Sequence, residues 1–212
     1  MERLICIIIG YVFGLFQTSY IYGRLHGIDI RKCGSGNAGT TNMLRTLGTK
    51  AGAITLLGDA FKCVIAVLVV RTLFAGKYSD MLPLLSIYTA SGVVFGHNFP
   101  FYLKFKGGKG VACTGGMVLA VFPIVAPVSL GLFIATAAVT KYVSLGSILG
   151  LISVFIQVVL YGQLGIIAVP AAVRTEFYIL TACFTVLGIW QHRANIGRLM
   201  NGTENKFGSK KK

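Results

Sequence analysis

Seven apolar stretches, at 4–22, 51–72, 82–98, 111–125, 127–141, 143–162 and 173–191, occupy most of this 212-residue chain and limit its fold more than any other feature. A helix needs about 20 residues to cross roughly 30 Å of hydrocarbon, fewer where neighbouring helices shield its ends. Composition agrees, with 55% of residues hydrophobic and 12% charged, against about a quarter charged in soluble domains. The chain is expected to be an all-α integral membrane protein. It reads as a single polytopic domain over 1–212 with seven transmembrane helices and a basic C-terminal tail from about 205. Between the fourth and fifth stretches lies Pro123-Ile124-Val125-Ala126-Pro127, where one long kinked helix competes with two short ones. The first stretch ends in Gln17-Thr18-Ser19-Tyr20-Ile21-Tyr22 and lacks a small-x-small cleavage pattern, so it should stay attached, with its polar positions turned into the bundle.

Charge fixes the orientation. Twenty Lys and Arg face six Asp and Glu, a formal net charge of +14. Fifteen of the twenty fall in segments 23–50, 99–110, 192–212 and at Lys141; Arg3, Arg71, Lys77 and Arg174 fall on the other side of the spans. Basic loops stay cytoplasmic, which puts the N-terminus outside and the C-terminus in the cytoplasm. Bases set between apolar runs fit anionic membrane lipids and anionic substrates rather than nucleic acid.

Three polar stretches lie on that cytoplasmic side and can therefore build one site. The first is Gly34-Ser35-Gly36-Asn37-Ala38-Gly39-Thr40-Thr41-Asn42-Met43-Leu44-Arg45. Glycines let the backbone approach a ligand and let N–H groups converge on an anion. Ser35, Thr40 and Thr41 add hydroxyls, and Arg45 adds a planar fork suited to phosphate or carboxylate. A plain turn with a capped helix uses one such residue, not this density. The second runs from Gly96-His97-Asn98 to Lys104-Phe105-Lys106-Gly107-Gly108-Lys109-Gly110, just before an apolar run. Lysines interleaved with glycines ahead of a helix favour phosphate, although the Walker spacing is absent. The third is His192-Arg193-Ala194-Asn195-Ile196-Gly197-Arg198, where His192, Asn195 and Arg198 share helical spacings.

Elsewhere the sequence excludes more than it offers. The acids Glu2, Asp29, Asp59, Asp80, Glu176 and Glu204 are far apart in sequence, so no local carboxylate cluster suits a metal, and no metal or cofactor is expected. The same scarcity argues against a metal-dependent alcohol phosphatidyltransferase. Asp59 and Lys62 lie within the second span and read as a structural ion pair. The five cysteines show no C-x-x-C spacing and read as reduced thiols; Cys33, beside the glycine run, offers a minor route through a covalent acyl-enzyme. The H-x-x-x-x-D signature of common glycerolipid acyltransferases is missing, because His26, His97 and His192 are followed at that distance by Arg31, Tyr102 and Gly197.

Taken together, Gly34-Ser35-Gly36-Asn37-x-Gly39-x-Thr41-Asn42-x-x-Arg45, Gly96-His97-x-x-Pro100 with Phe105-Lys106-Gly107-Gly108-Lys109-Gly110-Val111-Ala112, and His192-Arg193-x-Asn195-Ile196-x-Arg198-Leu199 with Gly202-Thr203-Glu204 resemble the three-motif pattern of the acyl-phosphate:glycerol-3-phosphate acyltransferases. The resemblance spans nearly the whole chain and includes Asp59 and Lys62. It implies a seven-helix enzyme of the bacterial plasma (inner) membrane, with its active site facing the cytoplasm. Such an enzyme moves the acyl group of an acyl phosphate to the sn-1 hydroxyl of glycerol 3-phosphate, giving lysophosphatidic acid and inorganic phosphate. His192, Asn195, Ser35, Arg45 and Lys106 are then the expected catalytic residues. Substrate binding is expected from Gly34, Gly36, Asn37, Thr40, Thr41, Asn42, His97, Lys104, Gly107, Gly108, Lys109, Gly110 and Arg198. The proton acceptor stays open between His192, His97 and a donor phosphate oxygen. A transporter of organic anions or phosphate is the alternative from another class, since basic glycine-rich breaks also suit permeation.

Overall fold

A computed structural model describes residues 1–208; Lys210, Lys211 and Lys212 of the basic tail lie outside the described residues. Among these residues the regular structure is all helical, with ten α-helices and short 3₁₀ turns. By contact the helices divide into two compact units, one over Met1–Val121 and one from Phe122 onward.

The first unit holds α1 (Glu2–Gly14), α2 (Thr18–Leu25), α3 (Thr40–Leu47), α4 (Thr49–Phe74), α5 (Leu82–Asn98) and α6 (Val111–Val121). On α1 the buried face carries Cys6, Gly10 and Gly14, while Leu4, Ile8 and Val12 are exposed at 56%, 53% and 58%. Small residues inside and large apolar ones outside is the pattern of a lipid-facing helix, where close backbone packing replaces the hydrophobic drive. The partner is α5. A Cβ on Gly10 would strike the Thr89 carbonyl and one on Gly14 the Val93 carbonyl; reciprocally, Gly92 lies against the Ile7 carbonyl and Gly96 against that of Tyr11. Two G-x-x-x-G rows thus press backbone on backbone.

That contact fixes the adjoining ends of both helices. The helical path breaks at Gln17 (φ −97°, ψ 89°), and Gln17, Thr18 and Ser19 are buried, as the polar end of the first span requires. The Gln17 amide Nε2 donates to the carbonyls of Gly14 (3.1 Å) and His97 (3.0 Å), so one buried side chain serves carbonyls of both α1 and α5. At the α3–α4 corner Gly48 takes φ +86°, a left-handed conformation glycine adopts without a Cβ penalty. On the far side of α4, Gly116 of α6 sits against the Ala60 carbonyl.

The second unit holds a 3₁₀ turn at Pro123–Val125, then α7 (Ala126–Thr140), α8 (Val143–Gln163), α9 (Ala171–Gln191) and α10 (Arg193–Met200). Helix α6 stops at Val121 and α7 starts anew after the turn, so the two-helix parse holds over the kinked one. Lys141 ends α7 with φ 62°, and its carbonyl accepts from the N–H of Phe207 at 2.7 Å, which ties the C-terminal segment to the α7–α8 turn. Between α7 and α8, Gln157 Nε2 donates to Ser129 Oγ at 2.8 Å, a buried polar tie of the kind that joins helices in lipid.

Among the described residues, five helical segments are long and apolar enough to cross a membrane: Glu2–Leu25, Thr49–Phe74, Pro123–Thr140, Val143–Gln163 and Ala171–Gln191. Of the other two expected spans, α5 has 17 residues and α6 has 11, lengths of about 25 and 16 Å at 1.5 Å per residue.

Candidate active site

In the first unit, the residues between α2 and α3 form the first glycine loop. Its base is a fork: Asp29 Oδ1 accepts from the N–H (3.1 Å) and Nε (3.0 Å) of Arg31, and Oδ2 accepts from Nη2 at 2.7 Å. These Arg31 hydrogen bonds hold the Asp29 carboxyl down at about 2. The guanidinium also lies 5.0 Å over the Tyr20 ring and donates from Nη1 to the Leu103 carbonyl (3.2 Å), tying the first loop to the second.

Asn42 holds the loop itself. Buried on the first turn of α3, it donates from Nδ2 to the carbonyls of Ile30 (3.1 Å), Cys33 (2.9 Å) and Asn37 (3.0 Å), and its Oδ1 accepts from the Ser35 N–H at 2.9 Å. Gly34 runs so close under this amide that a Cβ would collide with Asn42 Oδ1. The side chain expected to touch substrate is therefore spent on loop shape. What the loop presents is the start of α3, where Gly39 is extended (φ −156°) and Thr40 Oγ1 is buried without a hydrogen-bond partner. Ser35 and Arg45 are exposed, with Thr41 half-buried beside them. A helix N-terminus with an unsatisfied buried hydroxyl is a ready acceptor of anion oxygens.

The second loop folds back on the end of α5. Two consecutive non-glycine residues, Lys104 (φ 57°) and Phe105 (φ 59°), take the left-handed conformation, at about 1–2 kcal/mol each. The chain then returns so that Gly107 N–H donates to the Asn98 carbonyl and Gly108 N–H to that of His97, both at 3.1 Å. Lys104 and Lys106 are exposed. Gly108 is where the two loops meet: a Cβ there would collide with His97 Nε2 and lie 2.6 Å from the Ala38 carbonyl oxygen.

His97, 3% exposed, is held from behind. Lys62 Nζ donates to Asp59 Oδ1 (2.9 Å) and to the Phe16 carbonyl (2.7 Å), and lies at hydrogen-bond distance, 2.9 Å, from His97 Nδ1. Thr18 Oγ1 donates to the same Asp59 oxygen at 3.0 Å. Asp59 and Lys62 form the buried pair expected from the sequence, yet that pair also reaches a motif histidine. The signal was present, since a charged side chain inside a span marks a functional position by default.

In the second unit His192 ends α9 and its carbonyl opens α10, accepting from the Ile196 N–H at 2.8 Å. Its Nδ1 lies 2.8 Å from the Gly188 carbonyl. A carbonyl only accepts, so Nδ1 carries a proton, and in the neutral ring Nε2 holds the lone pair. Asn195 and Arg198 converge on Glu204: Asn195 Nδ2 donates to Oε1 (2.7 Å), Arg198 Nε to Oε2 (2.7 Å), and Ser144 Oγ of α8 to Oε1 (3.0 Å). Arg198 is thus ion-paired, and Ser144 is a partner that sequence spacing gave no sign of. Burial pushes the Glu204 carboxyl up, but the hydrogen bonds from Asn195, Arg198 and Ser144 outweigh it and hold the group below its ordinary 4.5. A depressed carboxyl stabilises the fold fully above its unfolded value and loses that contribution as pH falls through its folded value. Glu204→Gln is expected to cost about 1–3 kcal/mol at neutral pH and to flatten the fall in thermal midpoint below pH 4.5; thermal unfolding in detergent against pH reads both.

The fold and these loops define a helical membrane protein whose polar loops expose Ser35, Arg45, Lys104 and Lys106. The glycerol-3-phosphate acyltransferase family profile matches residues 4–202. A protein named glycerol-3-phosphate acyltransferase from Clostridioides difficile (strain 630) is 46% identical over 211 residues, covering 98% of this chain and 97% of its own. One of the same name from Alkaliphilus metalliredigens (strain QYMF) is 40% identical, covering 99% and 98%. The crystal structure of PlsY (YgiH), an integral membrane glycerol 3-phosphate acyltransferase in its glycerol 3-phosphate form, superposes with a TM-score of 0.83 at 34% identity, covering 98% of this chain and 96% of that one. Its lysophosphatidic acid form gives 0.81 at 33%. The chain belongs to the glycerol-3-phosphate acyltransferase family, and the transporter alternative falls away.

Proposed function

We propose that this enzyme transfers the acyl group of an acyl phosphate to the sn-1 hydroxyl of glycerol 3-phosphate, releasing lysophosphatidic acid and inorganic phosphate at the start of phospholipid synthesis. The hydroxyl oxygen forms a bond to the acyl carbon, the bond from that carbon to the phosphate oxygen breaks, and the hydroxyl proton passes to His192 Nε2 and on to the departing phosphate. An acyl phosphate is already activated, so catalysis consists of placing the alcohol and stabilising the oxyanion and leaving group with fixed donors. Ser35, Thr40, Thr41, Arg45, Lys106 and Lys109 take phosphate and oxyanion contacts, with Lys104 adding charge at the loop edge. Gly34, Gly36, Asn37, Asn42, Gly107, Gly108 and Gly110 shape the loops, while Asn195 and Arg198 order the surroundings of His192.

The observation that carries this reading is the pair of glycine loops joined at Gly108, with an unpartnered Thr40 hydroxyl at the start of α3. The basic balance supports a site facing the cytoplasm of a bacterial plasma membrane, with the N-terminus outside and anionic lipids around it. Seven crossings follow if α5 and α6 span with the help of flanking turns and local thinning.

Purified enzyme in detergent should form lysophosphatidic acid from acyl phosphate and glycerol 3-phosphate; product formed only from another acyl donor would exclude the proposed reaction. Asn42→Ala frees the loop and should raise KM for glycerol 3-phosphate about tenfold or more, consistent with loss of buried hydrogen bonds near a bound anion. Steady-state kinetics with varied glycerol 3-phosphate reads it.

A further inference from the structure

We infer that Thr18, Asp59 and Lys62 are positioning residues that lock His97 as a neutral Nε2–H donor at the junction of the two glycine loops, so that His97 gives a hydrogen bond to a phosphate or oxyanion oxygen and takes no proton. This rests on the acyl-transfer reading for the identity of that oxygen, but the lock itself follows from the bonding alone.

An ammonium has three donors and no acceptor. The three donors of Lys62 meet the Phe16 carbonyl, Asp59 Oδ1 and His97 Nδ1 at 2.7, 2.9 and 2.9 Å. Nδ1 must therefore offer its lone pair, which leaves the single ring proton on Nε2. The converse arrangement, a neutral amine accepting from Nδ1–H, would strand Asp59 as an uncompensated buried anion. Asp59 Oδ1 lies 3.7 Å from Nδ1, too far to replace the ammonium as the ring's direct partner. Thr18 Oγ1, on the same carboxylate oxygen, holds Asp59 across from α2. At the other end of the ring Nε2 faces Gly108, where no side chain fits, and the Ala38 carbonyl borders the same point. His192 has the opposite tautomer, with its proton on Nδ1, so the two motif histidines are built for opposite tasks: one donates, the other accepts.

The test is nitrogen NMR of ¹⁵N-histidine-labelled enzyme at neutral pH. The chain has three histidines, and loss of one set of signals in His97→Gln assigns His97. The expected spectrum shows His97 protonated at Nε2 and unprotonated at Nδ1, and in Lys62→Met the ring loses that single tautomer. His97→Phe should lower kcat roughly tenfold or more, with His97→Gln, which keeps a donor, falling less. Wild-type His97 protonated at Nδ1, or at both nitrogens, overturns the lock whether or not the variants fold, and full activity in His97→Phe overturns the donor role. The spectrum is recorded without turnover, so the tautomer it shows does not depend on which acyl donor the enzyme uses.

Discussion

Changing His192 to Ala should lower kcat for lysophosphatidic acid formation by about 10²–10⁴-fold, the usual worth of a positioned general base, while KM for glycerol 3-phosphate moves little. The reason is the tautomer. With Nδ1 donating to the Gly188 carbonyl at 2.8 Å, the neutral ring keeps its lone pair on Nε2. No such capacity exists at His97, whose Nδ1 is taken by Lys62. His192→Gln should be as slow as His192→Ala, because a carboxamide is not a base. Single-turnover rates in detergent, with folding checked by size-exclusion profile, measure the effect; a rate close to wild type would return the proton to the donor's own phosphate.

The largest effect on stability is expected at the α1–α5 seam. Gly96→Leu puts a branched side chain where even a Cβ would collide with the Tyr11 carbonyl, and Gly14→Leu does the same against that of Val93. Backbone atoms cannot swing aside as a side chain can, so the helices must separate. Overpacking a well-packed core already costs about 1–3 kcal/mol, and here the cost should reach or exceed the upper end. Because Gly96 adjoins His97, and Gln17 bridges the carbonyls of Gly14 and His97, residual folded enzyme should also lose activity. Thermal midpoints in detergent for Gly14→Leu and Gly96→Leu, set against an open position such as Gly131→Leu, separate this packing from a general intolerance of leucine.

Much of this architecture was legible in the chain. The apolar runs are helices, the Pro123–Pro127 segment separates two of them, and the three polar stretches fall at helix ends and loops, because the length and composition of a membrane helix are set by lipid. What sequence could not show was where each polar side chain spends its hydrogen bonds. Asn42 reads as a ligand contact and proves to be the staple of its loop; Arg198 reads as a substrate-binding residue and is paired with Glu204. The Lys62–His97 bond joins residues on different helices, and Ser144 reaches Glu204 from α8, pairings that spacing along one helix does not encode. Gly10, Gly14, Gly92 and Gly96 carried their small-x-x-x-small signal openly, but only the packing shows that the two rows face each other.

Release of inorganic phosphate from acyl phosphate by the purified enzyme, followed with and without glycerol 3-phosphate, addresses acyl transfer most directly. Phosphate should appear only when glycerol 3-phosphate is present, one for each lysophosphatidic acid formed. Equal release without the acceptor would make the protein a hydrolase of acyl phosphates, and no release under either condition would mean that its acyl donor is something else.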